Sequence, residues 1–143
     1  MTSFFNQDII FKLNRKRHYR LWIKELFLKH QKLQGTINVI FCSNSYILEL
    51  NRYFLRHDYC TDVITFDYSH TFSKNRVTGD IFISVDTVRS NFIEYGAESF
   101  EEELQRVIAH GVLHLLGYND VTFEEKSIMR DLEDAAIKLY KGF

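Results

Sequence analysis

An α+β domain is the fold class this sequence predicts: a four-stranded mixed sheet with about five helices. Three observations lead there. Extended apolar runs and helical stripes follow one another in the order β-α-β-α-β-β-α-α-α. In the last third of the chain, Ser99 with Glu102 and Thr122 with Glu125 have the spacing of capping boxes at helix starts. The helix after Ser99 carries one apolar stripe, Phe100, Leu104, Val107, Ile108, Gly111 and Leu115, through which it can pack.

Taken in order, Phe4 to Leu13 reads as a strand. Asn14 is placed to cap a helix reaching Leu33, with Leu21, Trp22, Leu26 and Leu33 at helical spacing and Gly35 as its stop. Thr36 to Cys42 is β-branched and apolar, and therefore extended. Ser43 opens a helix holding Ile47, Leu48, Leu50, Phe54 and Leu55. Asp62 to Tyr68 and Asp80 to Val85 form the next two strands, joined by a polar connection, Ser69 to Gly79, expected to be mobile. Asp86 caps a short helix with Val88, Phe92 and Ile93. The helix from Ser99 runs to Gly117, and Gly111 permits close approach to the sheet or a neighbouring helix. The last helix, from Thr122, carries Ile128, Met129, Leu132, Ala136 and Leu139.

Length and composition support one domain over residues 1–143. Apolar residues make up 45% of the chain and include thirteen Phe and eight Tyr, which supplies an ordinary core and argues against disorder. There is no proline and no linker-like stretch. No apolar run approaches the ~20 residues needed to cross a bilayer. The first residues lack a basic start and an apolar core, so a cytoplasmic location and no membrane partner are expected. Cys42 and Cys60 are not spaced as a Cys-x-x-Cys pair and are expected to be reduced.

The stretch His110-Gly111-Val112-Leu113-His114-Leu115-Leu116-Gly117-Tyr118-Asn119-Asp120 carries the chemistry. His110 and His114 are four residues apart, one helical turn, and share a face. Gly117 can end the helix in the left-handed conformation. The chain can then turn Asp120 back toward the two imidazoles. Two neutral imidazoles and a carboxylate suit one Zn²⁺ ion, with a fourth position left for water or substrate. A packed His pair and an Asp in a turn explain the same residues without a metal.

The same stretch resembles the signature of the YbeY-like endoribonucleases, bacterial rRNA maturation factors. Upstream, Leu50-Asn51, Thr61 to Phe66 and Gly79 to Ser84 resemble that family's other blocks, in order and at similar spacing. The resemblance covers the chain from about Ile37 onward. It implies a metal-dependent, single-strand-specific endoribonuclease acting in rRNA maturation and ribosome quality control. Its partners would be rRNA and ribosomal particles, with no DNA expected. Three positions depart from the family. Its third ligand is a histidine where this chain has Asp120, preceded by Asn119. Its arginine implicated in RNA handling matches Leu55, with Arg56 next to it. Its proline before the Thr-Asp block is Cys60.

A net charge of −1 means that RNA contacts must be local. The candidates are Arg15, Arg17 and Arg20 in the basic stretch Lys12 to Arg20, together with Arg56 and His57. A solvated helix face explains the basic stretch equally well. Arg106, one turn before His110, can face substrate phosphate or pair with Glu103. Arg106 and Arg56 are the candidate contributors to catalysis. The catalytic group itself is unassigned beyond a water held by the metal. Asp62 and Asp80 read as structural carboxylates at strand edges. A metalloprotease would need His-Glu-x-x-His, and Gly111 stands where that Glu belongs. Two alternatives to the nuclease stay open: a ribosome-associated RNA-binding factor with a structural metal, and a metallohydrolase of another substrate class.

Overall fold

The computed structural model describes residues 1–57, 61–69 and 75–143. Its elements run β1 (Thr2–Asn6), α1 (Lys16–Lys29), β2 (Leu33–Cys42), α2 (Asn44–Phe54), β3 (Val63–Asp67), β4 (Arg76–Ser84), α3 (Val85–Tyr95), α4 (Phe100–Leu115) and α5 (Phe123–Lys141). The four strands form one sheet in the order β1-β2-β4-β3. β1 and β4 flank β2 in parallel, and β3 lies antiparallel on the outside of β4. The expected α+β class, the mixed sheet and the element order are all present.

Burial explains why β2 is central. Ile37, Val39 and Phe41 point to one face, Ile40 and Cys42 to the other, and all five are buried. A strand covered on both faces reads as a near-continuous apolar run, as Ile37 to Cys42 does. On the first face Ile37, Val39, Phe41, Ile81 and Ile83 join residues of α1, α4 and α5 in the main core. On the second face α2 contributes Ile47, packed with Cys42 and Ile64. The Cys42 thiol donates to the Ile83 carbonyl, and burial pushes its pKa up to about 12. Cys60 lies outside the described residues.

Gly111 is what lets α4 lie on the sheet. A Cβ there would come within 2.7 Å of Ile81 Cγ2 and 3.3 Å of Val63 Cγ2. The helix spans Phe100–Leu115, and its buried face includes Leu104, Val107, Ile108, Gly111 and Leu115 of the expected stripe. Ser99 Oγ accepts from the Glu102 amide, while the Glu102 carboxylate takes Lys141 Nζ at 2.9 Å. Thr122 and Glu125 form the complete reciprocal box at the start of α5.

Several boundaries differ from the sequence reading. β1 begins at Thr2 and stops at Asn6. The following segment turns, with Asn6 Nδ2 donating to the Phe11 carbonyl and Asp8 accepting from Ser43. Asn14 does not cap α1; the cap position is Arg15, in the left-handed conformation at φ 62°. Gly35 does not end that helix. The chain reverses through Gln31 at φ 58°, and Gly35 lies inside β2, where a Cβ would meet the Val77 carbonyl oxygen at 2.9 Å. Residues Arg76–Gly79, expected to be part of a mobile connection, belong to β4. Of that connection, residues 70–74 lie outside the described residues. Ser84, the last residue of β4, caps α3 by accepting from the Thr87 amide at 3.2 Å. Asp86, expected as that cap, instead accepts from the Asn44 amide at the start of α2. In α5 the buried face is Met129, Glu133, Ala136, Ile137 and Tyr140; of the expected stripe, Met129 and Ala136 lie on it, Leu132 and Leu139 pack at its margin and Ile128 is exposed. Among the described residues no helix is long and apolar enough to cross a membrane.

Candidate metal centre

The C-terminal end of α4 and the turn after it build the site. Helical spacing stacks His110 over His114, with their rings 4.5 Å apart and nearly perpendicular. Each ring is held from behind. Nδ1 of His110 donates to Glu133 Oε2 at 2.6 Å, and Nδ1 of His114 donates to the Tyr118 carbonyl at 3.0 Å. Carboxylate and carbonyl oxygens accept, so both protons sit on Nδ1 and both Nε2 atoms present lone pairs to the same point.

The turn that supplies Tyr118 is a Schellman motif. The Tyr118 amide donates to the Leu113 carbonyl and the Gly117 amide to that of His114, both at 3.0 Å. Gly117, at φ 106°, takes the left-handed position that a side chain would strain. The Tyr118 hydroxyl bonds Nδ1 of His30 at 2.9 Å, which ties the turn to the end of α1. Asp120 then swings back, with Oδ2 at 3.2 Å from His110 Nε2 and 3.6 Å from His114 Nε2.

The two Nε2 atoms are 2.9 Å apart. Ligands about 2.0–2.2 Å from one tetrahedral ion lie roughly 3.3–3.6 Å from each other. The two separations to Asp120, 3.2 and 3.6 Å, are close to that size, the imidazole pair is about 0.4 Å tighter, and one atom from each residue lies within 4.8 Å of the others. Two converging lone pairs beside a carboxylate oxygen need a cation between them, either a proton or a metal. This donor set therefore fits a divalent ion. The pKa shifts agree. Burial alone would lower His110, but the hydrogen bond and charge of Glu133, then the charges of Asp62 and Asp120, raise it above the ordinary imidazole value. Burial and the nearby His110 lower His114 despite Asp120.

The group opens into a cleft of about 470 Å³ lined by the end of α2, by β3 and by α4. Asn51, Leu55, His57 and Asp62 share its wall with His110, His114 and Asp120. His57 is thus brought to the site. Arg56 is left-handed at φ 56°, and it is its neighbours Leu55 and His57 that line the cleft. Asp62, read from sequence as structural, is a cleft residue whose carboxyl is pushed up by burial. Asp80 keeps its structural role, accepting from Asn38 Nδ2 at 3.0 Å on the paired strand.

Other sequence candidates lie elsewhere. Arg106 does not face the cleft or pair with Glu103; it bridges Glu133 at 3.2 Å and Asp134 at 2.8 Å. None of Arg15, Arg17 and Arg20 lines the cleft. Arg15 bonds His18, and both sit against Ser99 and Lys141, at the N-terminal end of α4 and the C-terminal end of α5. The metal group is at the other end of α4, so the length of the helix keeps them apart. Arg20 donates to the Thr2 carbonyl and covers the Phe4 ring. Glu133 was missed from sequence because its position reads as an ordinary helix site.

Comparison with known proteins gives a consistent result. The family model for "Endoribonuclease YbeY" matches residues 4–141. The chain is 44% identical over 138 residues to the endoribonuclease YbeY of Cytophaga hutchinsonii, spanning 96% of this chain and 94% of that one. It is 46% identical over 125 residues to the endoribonuclease YbeY of Bacteroides thetaiotaomicron, spanning 87% and 88% of the two chains. The fold matches the solution structure of TM1509 from Thermotoga maritima with a TM-score of 0.64 and 25% identity, over 99% of this chain and 90% of that one. With its fold and most of its length matched in this way, this chain belongs to the endoribonuclease YbeY family.

Proposed function

We propose that residues 1–143 act as one metal-dependent endoribonuclease that cuts single-stranded RNA during rRNA maturation and ribosome quality control. The reading places it in the cytoplasm, with rRNA and ribosomal particles as its partners. The convergence of His110 Nε2, His114 Nε2 and Asp120 Oδ2 on one point of an open cleft is the observation that carries it. Zn²⁺ is the ion proposed, because His₂-carboxylate sets with an open position are a zinc hydrolase arrangement. When bound, such an ion acidifies water and polarises a phosphoryl oxygen.

The chain's own residues do the rest. Glu133 and the Tyr118 carbonyl hold the two imidazoles with Nε2 outward. Leu55 and His57 form part of the cleft wall beside His110, His114 and Asp120, where an RNA strand at the metal would meet them. Gly111 occupies the place where a zinc peptidase carries its glutamate base, so the site lacks the part that peptide hydrolysis requires.

The test is cleavage of a single-stranded RNA by the metal-loaded protein, after chelation and after metal return, beside Asp120→Ala. Loss on chelation, recovery with metal, and inactivity of Asp120→Ala are expected. Cleavage that survives chelation would reject metal dependence. RNA binding without cleavage would favour the binding-factor alternative.

A further inference from the structure

We propose that Glu133 is a positioning residue for the metal centre: by accepting the Nδ1 proton of His110 it holds that ring with Nε2 toward the ion. The proposal rests on the metal reading above and extends it to α5. Glu133 lies on the buried face of its helix, between Met129 and Ala136, and is 7% exposed. A carboxylate is seldom that buried unless paired, and an apolar residue would pack there at less cost. The carboxylate divides its two oxygens. Oε1 takes Arg106 at 3.2 Å, and Oε2 takes His110 at 2.6 Å.

The two partners do not depend on it equally. Arg106 has Asp134 as a second partner at 2.8 Å. For Nδ1 of His110, Glu133 is the acceptor that the structure provides. The Arg106 pair ties α4 to α5 beside their shared apolar core, whereas the His110 bond selects a tautomer. Metal-ligating histidines commonly donate their far N–H to a carboxylate or carbonyl, which fixes the ring and raises its basicity. His114 has the Tyr118 carbonyl for this and His110 has Glu133. Arg106 acts one step further out, keeping the Glu133 carboxylate turned so that Oε2 faces the ring.

Zinc affinity of the full chain, measured with a competing chelator, tests this at a temperature where circular dichroism shows every variant folded. Glu133→Met should weaken binding roughly 10–100-fold, the usual effect of losing an outer partner. Glu133→Gln keeps the shape and an acceptor oxygen, and should weaken binding less. Long-range ¹H–¹⁵N spectra of the metal-free protein should show His110 protonated on Nδ1 in the wild type, with a shift toward Nε2 in Glu133→Met. A merely structural carboxylate would leave that signature unmoved. Affinity within about twofold of wild type in both variants, far short of an outer-partner effect, overturns the proposal. So does an unchanged tautomer in Glu133→Met. His110→Ala is the control for the metal reading: if it binds zinc as tightly as wild type, that reading fails, and the role of Glu133 fails with it.

Discussion

The carbonyl oxygen of Tyr118 accepts from Nδ1 of His114 at 3.0 Å, so the turn that ends α4 also orients a side chain within α4. The same turn delivers Asp120. The backbone reversal at Gly117 therefore positions both a histidine and the carboxylate of the candidate metal group.

Replacing Gly117 with alanine tests that role. A Cβ there meets nothing within 4 Å, so the penalty is backbone strain at φ 106° rather than a clash. Gly117→Ala should lose on the order of 1–3 kcal/mol of stability and bind zinc more weakly. Denaturant unfolding and metal titration measure the two effects. Full stability with full affinity would show that the turn needs no glycine.

Gly111→Ala tests a different feature, the contact of α4 with the sheet. The new methyl would press on Ile81 and Val63, β-branched side chains with little rotamer freedom. Overpacking of this kind costs about 1–3 kcal/mol, and better helix propensity returns at most about 1 kcal/mol. A net fall in the denaturant midpoint is expected; a rise would mean that α4 can move off the sheet freely.

The capping box sets part of the acid sensitivity. The Thr122 amide donates to Glu125 Oε1 at 2.9 Å, and this bond holds the Glu125 carboxyl below its ordinary value of 4.5. A depressed pKa gives stability that is complete above the ordinary value and is lost as pH falls through the folded one. Stability curves against pH should thus show a smaller loss below about pH 4.5 in Glu125→Gln than in wild type. Superimposable acid limbs would show that the box does not persist in solution.

The two basic segments should separate in function. His57 lines the metal cleft, whereas Arg15 lies at the far end of α4. His57→Ala should lower kcat/KM for a single-stranded RNA by roughly tenfold, or ~1.4 kcal/mol, with metal content retained. Arg17→Glu should leave the value nearly unchanged. A larger loss in Arg17→Glu would restore the basic stretch of α1 as the RNA contact.

Much of this centre was legible in the sequence, because its first part is local. His110 and His114 share a face by helical period, and Gly117 marks the reversal that returns Asp120. Glu133 was not legible, being 23 residues beyond His110 on another helix. The signal available was a charge beside an apolar stripe: Met129 and Ala136 were read on that stripe, but Leu132 and Leu139 were read with them in place of Ile137 and Tyr140, whose burial brings Glu133 inward. Arg106 failed for the same reason, since its partners come from α5. Gly35 misled because glycine usually ends helices, whereas here Gln31 makes the reversal and Gly35 serves the close approach of β4. Asp62 looks like any strand-edge carboxylate until α4 is laid against β3.

Metal stoichiometry tests the central claim most directly. Elemental analysis of zinc-reconstituted protein after gel filtration should find one ion per chain in wild type. His114→Ala and Asp120→Ala, still folded, should retain almost none. Equal zinc in wild type and both variants would place the metal elsewhere and contradict the site built from His110, His114 and Asp120.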